Sequence, residues 1–381
     1  MTIRIALAAV ASLASWAAAG CAAAPMADDA TMAEPEIEVL AQLPGGPGNI
    51  TVTGDGLVIT SIHPSYDSEI VAVAADGAAV RPFPDGDWAT ALGADAAEDG
   101  GPGLKRVLSV RADRDGKVWL LAGFPGPAPR TFYVWDTTTG AMDHVIDVVP
   151  GDIALPSSFF NDMALAPAHG VVVISDPAGG GPALVVMDME TGEGRRVLQD
   201  HVSVTAEDID AFIDGVPLAQ ARDENGDLIP LRGAVNPITI DSAEEWVYYG
   251  AMSGASLYRV RLADLLDESL GADALAARGE RYGDKAPSAG ITIDAAGNVY
   301  VADVGARGIG VVSPDGGYRV LVQDDVLLDW PDGLAVDDDG YVYVAANELY
   351  RNWTSHSDGT TPQAPFPLVR FKALAPTVQG R

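Results

Sequence analysis

Short stretches of alternating apolar and polar residues, each broken by a turn rich in Asp and Gly, recur along most of this chain. They read ITVTGDGLVITS from Ile50, LSVRADRDGKVWLLA from Leu108, MALAPAHGVVVISD from Met163 and ITIDSAEEWVYYGA from Ile238. The last copies are ITIDAAGNVYVAD from Ile291 and LAVDDDGYVYVAA from Leu334. A period of two with Val, Ile and Tyr in the second arm predicts a β-hairpin each time. Several copies are followed by a second hairpin, as in ALVVMDMETGEGRRVL and IGVVSPDGGYRVLV, which makes about four strands per unit. The turn positions Gly56, Gly116, Gly170, Glu244, Gly297 and Gly340 are separated by 60, 54, 74, 53 and 43 residues. Four strands at spacings of roughly 40–50 residues are the mark of propeller blades, longer spacings carrying insertions. The pattern predicts an all-β, six-bladed β-propeller. The isolated strands EIEVLAQL, from Glu36, and LVRFKAL, from Leu368, are expected to share one blade and close the ring.

The remaining segments fall outside this period. Residues 200–234 form an insertion between the third and fourth blades, with a short helix expected from the cap-like Thr205-Ala-Glu-Asp to Phe212. Its continuation RDENGDLIPL lacks the Gly and Glu that a calcium loop requires, so an ordinary turn is expected. A second insertion starts at Asn352. At the other end, residues 5–19 are almost wholly apolar, too short to span a membrane comfortably, and lead through small residues to Cys21. This layout is that of a secretory signal, and the cysteine position resembles a bacterial lipobox. An ordinary cleaved signal is the alternative. The expected organisation is leader 1–21, linker 22–35 and one propeller from 36 to 381, extracytoplasmic, monomeric, and touching the membrane only through an N-terminal lipid.

Charge narrows the partners. With 54 acidic and 23 basic residues the net charge is −31, so phosphate backbones are repelled and nucleic acid is excluded as a partner. The single cysteine precludes an internal disulfide. The five histidines show no HExxH or HxH spacing, and no GxSxG elbow, P-loop or strand-linked GxGxxG occurs.

What the propeller supplies is a ring. Residues just ahead of each innermost strand converge at one mouth of the central channel. Stepping back four from the last apolar residue of each inner strand gives Gly48, Arg106, Asn161, Asn236, Ala289 and Asp332, with Asn49, Asp162 and Ser288 adjacent. Oxygen donors from Asn161, Asn236 and Asp332 suit Ca²⁺ or another hard divalent cation. Capping of blade ends by the same side chains is the structural alternative. Asp162 or Asp332 is placed to act as a general base and Arg106 to steady an oxyanion. Phe159, Phe160 and Trp330 would form an apolar wall for a small-molecule ligand, with Asn49 beside it.

The stretches SFFNDMALAPAHGVVVISDPAGGGPALVVMDMETGEGRRVL, VNPITIDSAEEWVYYGAMSGASLYRV and WPDGLAVDDDGYVYVAANELYR resemble the major royal jelly/yellow protein family, in particular its bacterial members. The similarity runs over residues 36–372. It implies a secreted six-bladed propeller; insect members include dopachrome-converting proteins and binders of biogenic amines. More distantly the blade phrases are similar to gluconolactonase/senescence-marker propellers, whose lactone hydrolysis uses a divalent metal held by Glu, Asn, Asn and Asp. Asn161 and Asn236 match the two Asn. Ala289 stands where the Asp belongs, with Asp332 one blade further on, and only Gly48 and Asn49 stand where the Glu belongs. The expected function is a small-molecule-binding propeller, with isomerase or tautomerase action on an aromatic as its catalytic form. A metal-dependent lactonase and a non-enzymatic surface scaffold are the alternatives.

Overall fold

The computed structural model describes residues 34–380, apart from 67, 69–71, 78, 86, 90–102, 105, 124–129, 149–150, 152, 179 and 354–360. The expected leader, most of the linker and Cys21 therefore lie outside the described residues. Six four-stranded antiparallel sheets form the six blades, and two two-stranded hairpins complete the strands. Five blades run in chain order from the axis outward. The sixth has the order C-terminal inner hairpin, Phe366–Lys372, then Glu38–Leu43 at its outer edge. The N-terminal strand thus pairs with the last strand of the chain, Glu38 opposite Arg370 and Leu43 opposite Phe366. This joins the two ends of the ring, as expected.

The innermost strands are Pro47–Val52, Val107–Ala112, Met163–Ala166, Val235–Ile240, Ser288–Ile293 and Pro331–Val336. Alternate side chains fill the wedges between blades: Ile50 and Val52 pack with Ala335 and Tyr343, and Ile238 and Ile240 with Ala164 and Val173. Such wedges place apolar area out of water on both faces of each sheet, which is the main favourable term holding the ring together. Near the axis the backbones themselves come close. A Cβ on Gly290 would sit 2.2 Å from the Asp332 carbonyl oxygen, and one on Gly333 2.8 Å from Asn49 Cα.

One irregularity repeats. In blades one, two, four, five and six the inner ladder gains one extra residue near its start, at Pro47/Ile50, Val107/Ser109, Val235/Ile238, Ser288/Ile291 and Pro331/Leu334. A bulge bends its strand and re-aims the side chain it inserts. In these five blades it re-aims the residues at the start of the inner strand, which lie at the mouth. The opposite end of the channel is crossed by the C-terminal tail. Ala295 donates to the Pro376 carbonyl, Leu374 to the Tyr300 hydroxyl oxygen and Gln379 Nε2 to the Asp113 carbonyl.

The blade-three to blade-four insertion departs from expectation. No helix forms from Thr205; the segment carries hairpins Phe212–Ile213/Val216–Pro217 and Ala219–Arg222/Leu228–Pro230. The short helices Leu262–Leu266 and Ala272–Ala276 lie in the fourth blade instead. The tight axis makes a direct prediction. Gly290→Ala should lower unfolding stability by roughly 1–3 kcal/mol through overpacking, measured by denaturant titration; an unchanged midpoint contradicts this packing.

Candidate functional site

The mouth holds a chamber of about 290 Å³, close to the lower end of the roughly 300–1,000 Å³ range of small-molecule sites. Every blade contributes to it: Gly48, Leu108, Asn161, Asn236, Ala289 and Asp332 all line it. Five of these six are the ring expected from the repeat register. The exception is blade two. Its inner ladder continues to Ala112, which pairs with Val118, so the residue equivalent to Gly48 is Leu108. The register had ended that strand at Val110, two residues early. Arg106 therefore does not line the chamber. Its guanidinium donates to the carbonyls of Pro64, at 2.9 Å, and Tyr66, at 3.3 Å, away from any oxyanion role.

Below the rim lies a second tier that the sequence reading did not anticipate. Arg111 is 2% exposed, and it extends from blade two to the Asp162 carboxylate of blade three, with Nη2 3.1 Å from Oδ1. Its Nη1 also donates to the Leu334 carbonyl of blade six at 3.3 Å. The same Oδ1 accepts from Asn49 Nδ2 at 2.8 Å, Ser109 Oγ at 2.9 Å and the Met163 amide at 2.7 Å. A buried charge is tolerated when it is paired and hydrogen-bonded; here Asp162 Oδ1 is bonded from four groups, while Arg111 Nε has no partner among the described residues. Asp162 is thus consumed as the anchor of four blades, and Asn49 is consumed with it. Both nevertheless line the chamber. The sequence signal was there: an Arg at the next-to-last position of an otherwise buried apolar strand demands a nearby carboxylate.

What remains unengaged faces the chamber. The side-chain amides of Asn161 and Asn236 have no hydrogen-bond partner among the described residues, although both line the cavity. Asp332 accepts one hydrogen bond, from Asn347 Nδ2 at 2.7 Å, and burial, together with the nearby Asp162 charge, pushes its carboxyl up to about 7. Asn347 is fully buried and also donates to the Pro47 carbonyl at 2.6 Å, so the carboxyl is held in place rather than free to swing. His63 joins the wall, with its pKa lowered to about 4 by burial, so it is neutral at ordinary pH. Among the described residues no lysine or arginine lines the chamber.

The aromatic side is built by blade six. Trp330 stacks on Tyr350 with centroids 6.1 Å apart and meets Trp353 edge-on at 5.3 Å. Its backbone lies at φ 60, a left-handed conformation that a bulky side chain adopts only under constraint. The constraint is visible on both sides. Asp329 is gripped by Arg307 and Arg351 at 3.1 and 3.0 Å, and the Trp330 carbonyl accepts from Asn347. Phe159 lines the chamber too, its amide held at 2.8 Å by Asp176, which is paired with Arg196. Phe160 faces the other way. It is buried with Trp119, Phe132 and Met163 between blades two and three, so it is a packing residue and not part of the wall.

The cation expected at Asn161, Asn236 and Asp332 requires more donors than are present. Hard cations such as Ca²⁺ take six to eight oxygens, commonly from several carboxylates. Here Asp162 is already engaged by Arg111, which leaves Asp332 as the carboxyl facing the ring, and Gly48, Leu108 and Ala289 leave three blades without a side-chain donor at the ring position. Among the described residues no three His, Cys, Asp or Glu side chains converge. The donor set does not fit a resident divalent ion, and no step is assigned to one.

A six-bladed propeller with an aromatic-walled chamber at one mouth is the class that fold and site define. The family model for the major royal jelly protein matches residues 107–363, and the chain belongs to that family. Among solved structures it is similar to calcium-binding regucalcin of Agrobacterium tumefaciens, with TM-score 0.52 and 14% identity over 90% of this chain and 96% of that one. It is also similar to a Xanthomonas campestris gluconolactonase, with TM-score 0.54 and 11% identity over 89% and 90% of the two chains. A Bacteroides thetaiotaomicron protein of unknown function matches with TM-score 0.54 and 13% identity over 89% and 76%. At these identities the likeness is one of fold. A comparison with curated proteins returns no significant match.

The anchor carries its own test. Removing one partner of a buried ion pair costs about 3–5 kcal/mol, whereas replacing both with apolar residues of similar size is often neutral. Asp162→Ala should show that loss in urea titration, and Arg111→Met with Asp162→Leu should regain most of it. A single-variant cost below about 1 kcal/mol, the level of a surface pair, contradicts the role given to Asp162.

Proposed function

We propose that this protein binds a small, flat, uncharged molecule bearing hydroxyl or carbonyl groups in the mouth chamber, and that Asp332 moves a proton on it. One observation carries the reading: two side-chain amides without protein partners and a carboxyl poised near neutrality share a cavity with an aromatic wall. Amides that line a cavity without a protein partner are available to a ligand, which can offer them both a donor and an acceptor. A carboxyl whose pKa matches ambient pH is suited to general acid–base work, as it takes and returns a proton at similar cost. On an oxidised catechol such as an aminochrome, Asp332 would take the proton from carbon and return it to the ring oxygen, a tautomerisation with no net redox change. Asn161 and Asn236 would donate to that oxygen as charge develops there. The protein would do this outside the cytoplasm as a monomer, tethered through Cys21.

Two measurements test the assignment of Asp332. Asp332→Asn should lower aminochrome turnover by about 10²–10⁴-fold while catechol still binds, and wild-type turnover should rise through pH about 7. Unchanged turnover in the variant would remove Asp332 from the chemistry. Stability gives an independent check. A carboxyl raised from 3.8 to about 7 favours folding when protonated, so its contribution is present below pH 4 and is lost as pH rises through 7. At about pH 8 Asp332→Asn should therefore melt higher than wild type, by roughly 1–3 °C, and the gap should close near pH 4. A variant that melts lower at pH 8 contradicts a carboxyl kept near neutrality. Millimolar Ca²⁺ should leave the melting temperature of the wild type unchanged; a rise with added Ca²⁺ would restore the cation at Asn161, Asn236 and Asp332.

A further inference from the structure

The insertion between blades three and four does not stay beside them. Its first hairpin buries Ile213, and Leu218 follows it into one apolar cluster with Ala289 and Val304 of blade five and Trp330, Leu349 and Tyr350 of blade six. A segment that leaves blade three and packs on blades five and six must pass over the rim between them. It is pinned at both ends of that path. At the far end Asp214, in the tight turn of the first hairpin, pairs with Arg307 at 2.5 Å, the arginine that also holds Asp329 next to Trp330. At the near end Glu207 donates its amide to the Ser253 carbonyl, and Ser253 Oγ donates to the Leu231 carbonyl.

The second hairpin then does what the inner strands do. Its register slips by one residue between Ala219 and Ala221, so Gln220 is the inserted residue of a bulge. Ala219 is fully buried, whereas Gln220 turns out of the pairing and lines the chamber. Its side-chain amide has no hydrogen-bond partner among the described residues. Bulges re-aim side chains next to functional sites, and this one delivers the insertion's polar contribution to the cavity.

We propose that the insertion is a fixed roof over the mouth and that Gln220 is a specificity-determining residue, which recognises a second polar group on the ligand beyond the one met by Asn161 and Asn236. Asp214 is its positioning residue, acting through Arg307. This rests on the binding reading above. A ligand with two adjacent hydroxyl or carbonyl groups engages both rim and roof; a ligand with one engages the rim alone. The discrimination arises because a polar group left unpaired inside the chamber is penalised.

The test is calorimetric titration of the intact mature protein with catechol and with phenol, which differ by one hydroxyl. Wild type should bind catechol more tightly than phenol by about tenfold, the scale of one net hydrogen bond. Gln220→Ala should cut that ratio to within about twofold, mainly by weakening catechol. Asp214→Ala should lower the ratio in the same direction with the phenol affinity nearly unchanged. Because Gln220 is exposed, its truncation leaves the core intact, and Gln220→Met, which keeps the length but neither donates nor strongly accepts, serves as a second variant whose ratio should also fall. If wild type binds both ligands and Gln220→Ala keeps the full ratio, the roof has no part in recognition and the binding reading stands. If wild type binds neither, the binding reading and the roof's role fall together.

Discussion

A guanidinium buried on a propeller axis has to be neutralised where it lies, and most of the mouth follows from how that is done. Arg111 reaches Asp162 and the Leu334 carbonyl, and Asn49 and Ser109 close on the same carboxylate oxygen. Blades one, two, three and six are thereby tied at one depth. The pair also divides the carboxylates of the channel into two kinds. Asp162 is engaged by Arg111, Asn49 and Ser109, whereas the carboxyl of Asp332 one tier above is raised by burial first and by the nearby Asp162 charge in addition. The anchor and Asp332 are thus coupled: the Asp162 charge adds to the effect of burial on the Asp332 carboxyl.

The bulges supply the geometry. Without an extra residue at the start of the inner strands, the rim residues would continue the ladder and point between blades, as Ile50 and Ile238 do. With it, Asn236 and Asp332 look across one chamber, where Asn161 of the unbulged third blade joins them. The aromatic wall is supported from behind, through Asp329 and its two arginines, and Trp330 keeps a backbone conformation that costs energy to hold. Strain of this kind persists where the surroundings over-determine it. The raised carboxyl of Asp332 is a similar expense, and on the proposed function that stability is given up to keep a proton-transfer group near neutrality.

The fold was legible because each blade repeats its hairpin with the same period and the same turn residues, and because the two leftover strands had no other partner. Rim positions in five blades followed from that repetition alone. Blade two was misread for a local reason: Arg111 interrupts the apolar run, so the strand was taken to end at Val110. That one slip moved Arg106 onto the rim in place of Leu108 and hid Arg111 as well. The engagement of Asp162 could not be read from its neighbours in sequence, since its partners lie 51 and 113 residues away. Phe160 was ambiguous in principle, as two adjacent aromatics at a strand entrance must face opposite sides. The insertion was legible as an insertion but not as a roof, because its contacts are set by long-range packing with blades five and six and not by its own period.

On the proposed function the chamber, and not another surface of the propeller, receives a small flat ligand through Asn161, Asn236 and Asp332. A crystal structure of the protein soaked with catechol decides this. Ring density is expected against Trp330 and Phe159, with the two hydroxyls within hydrogen-bond distance of the rim amides and of Asp332. An ordered catechol elsewhere on the protein with this chamber holding only water, or a cation bridging the three rim side chains, would contradict it.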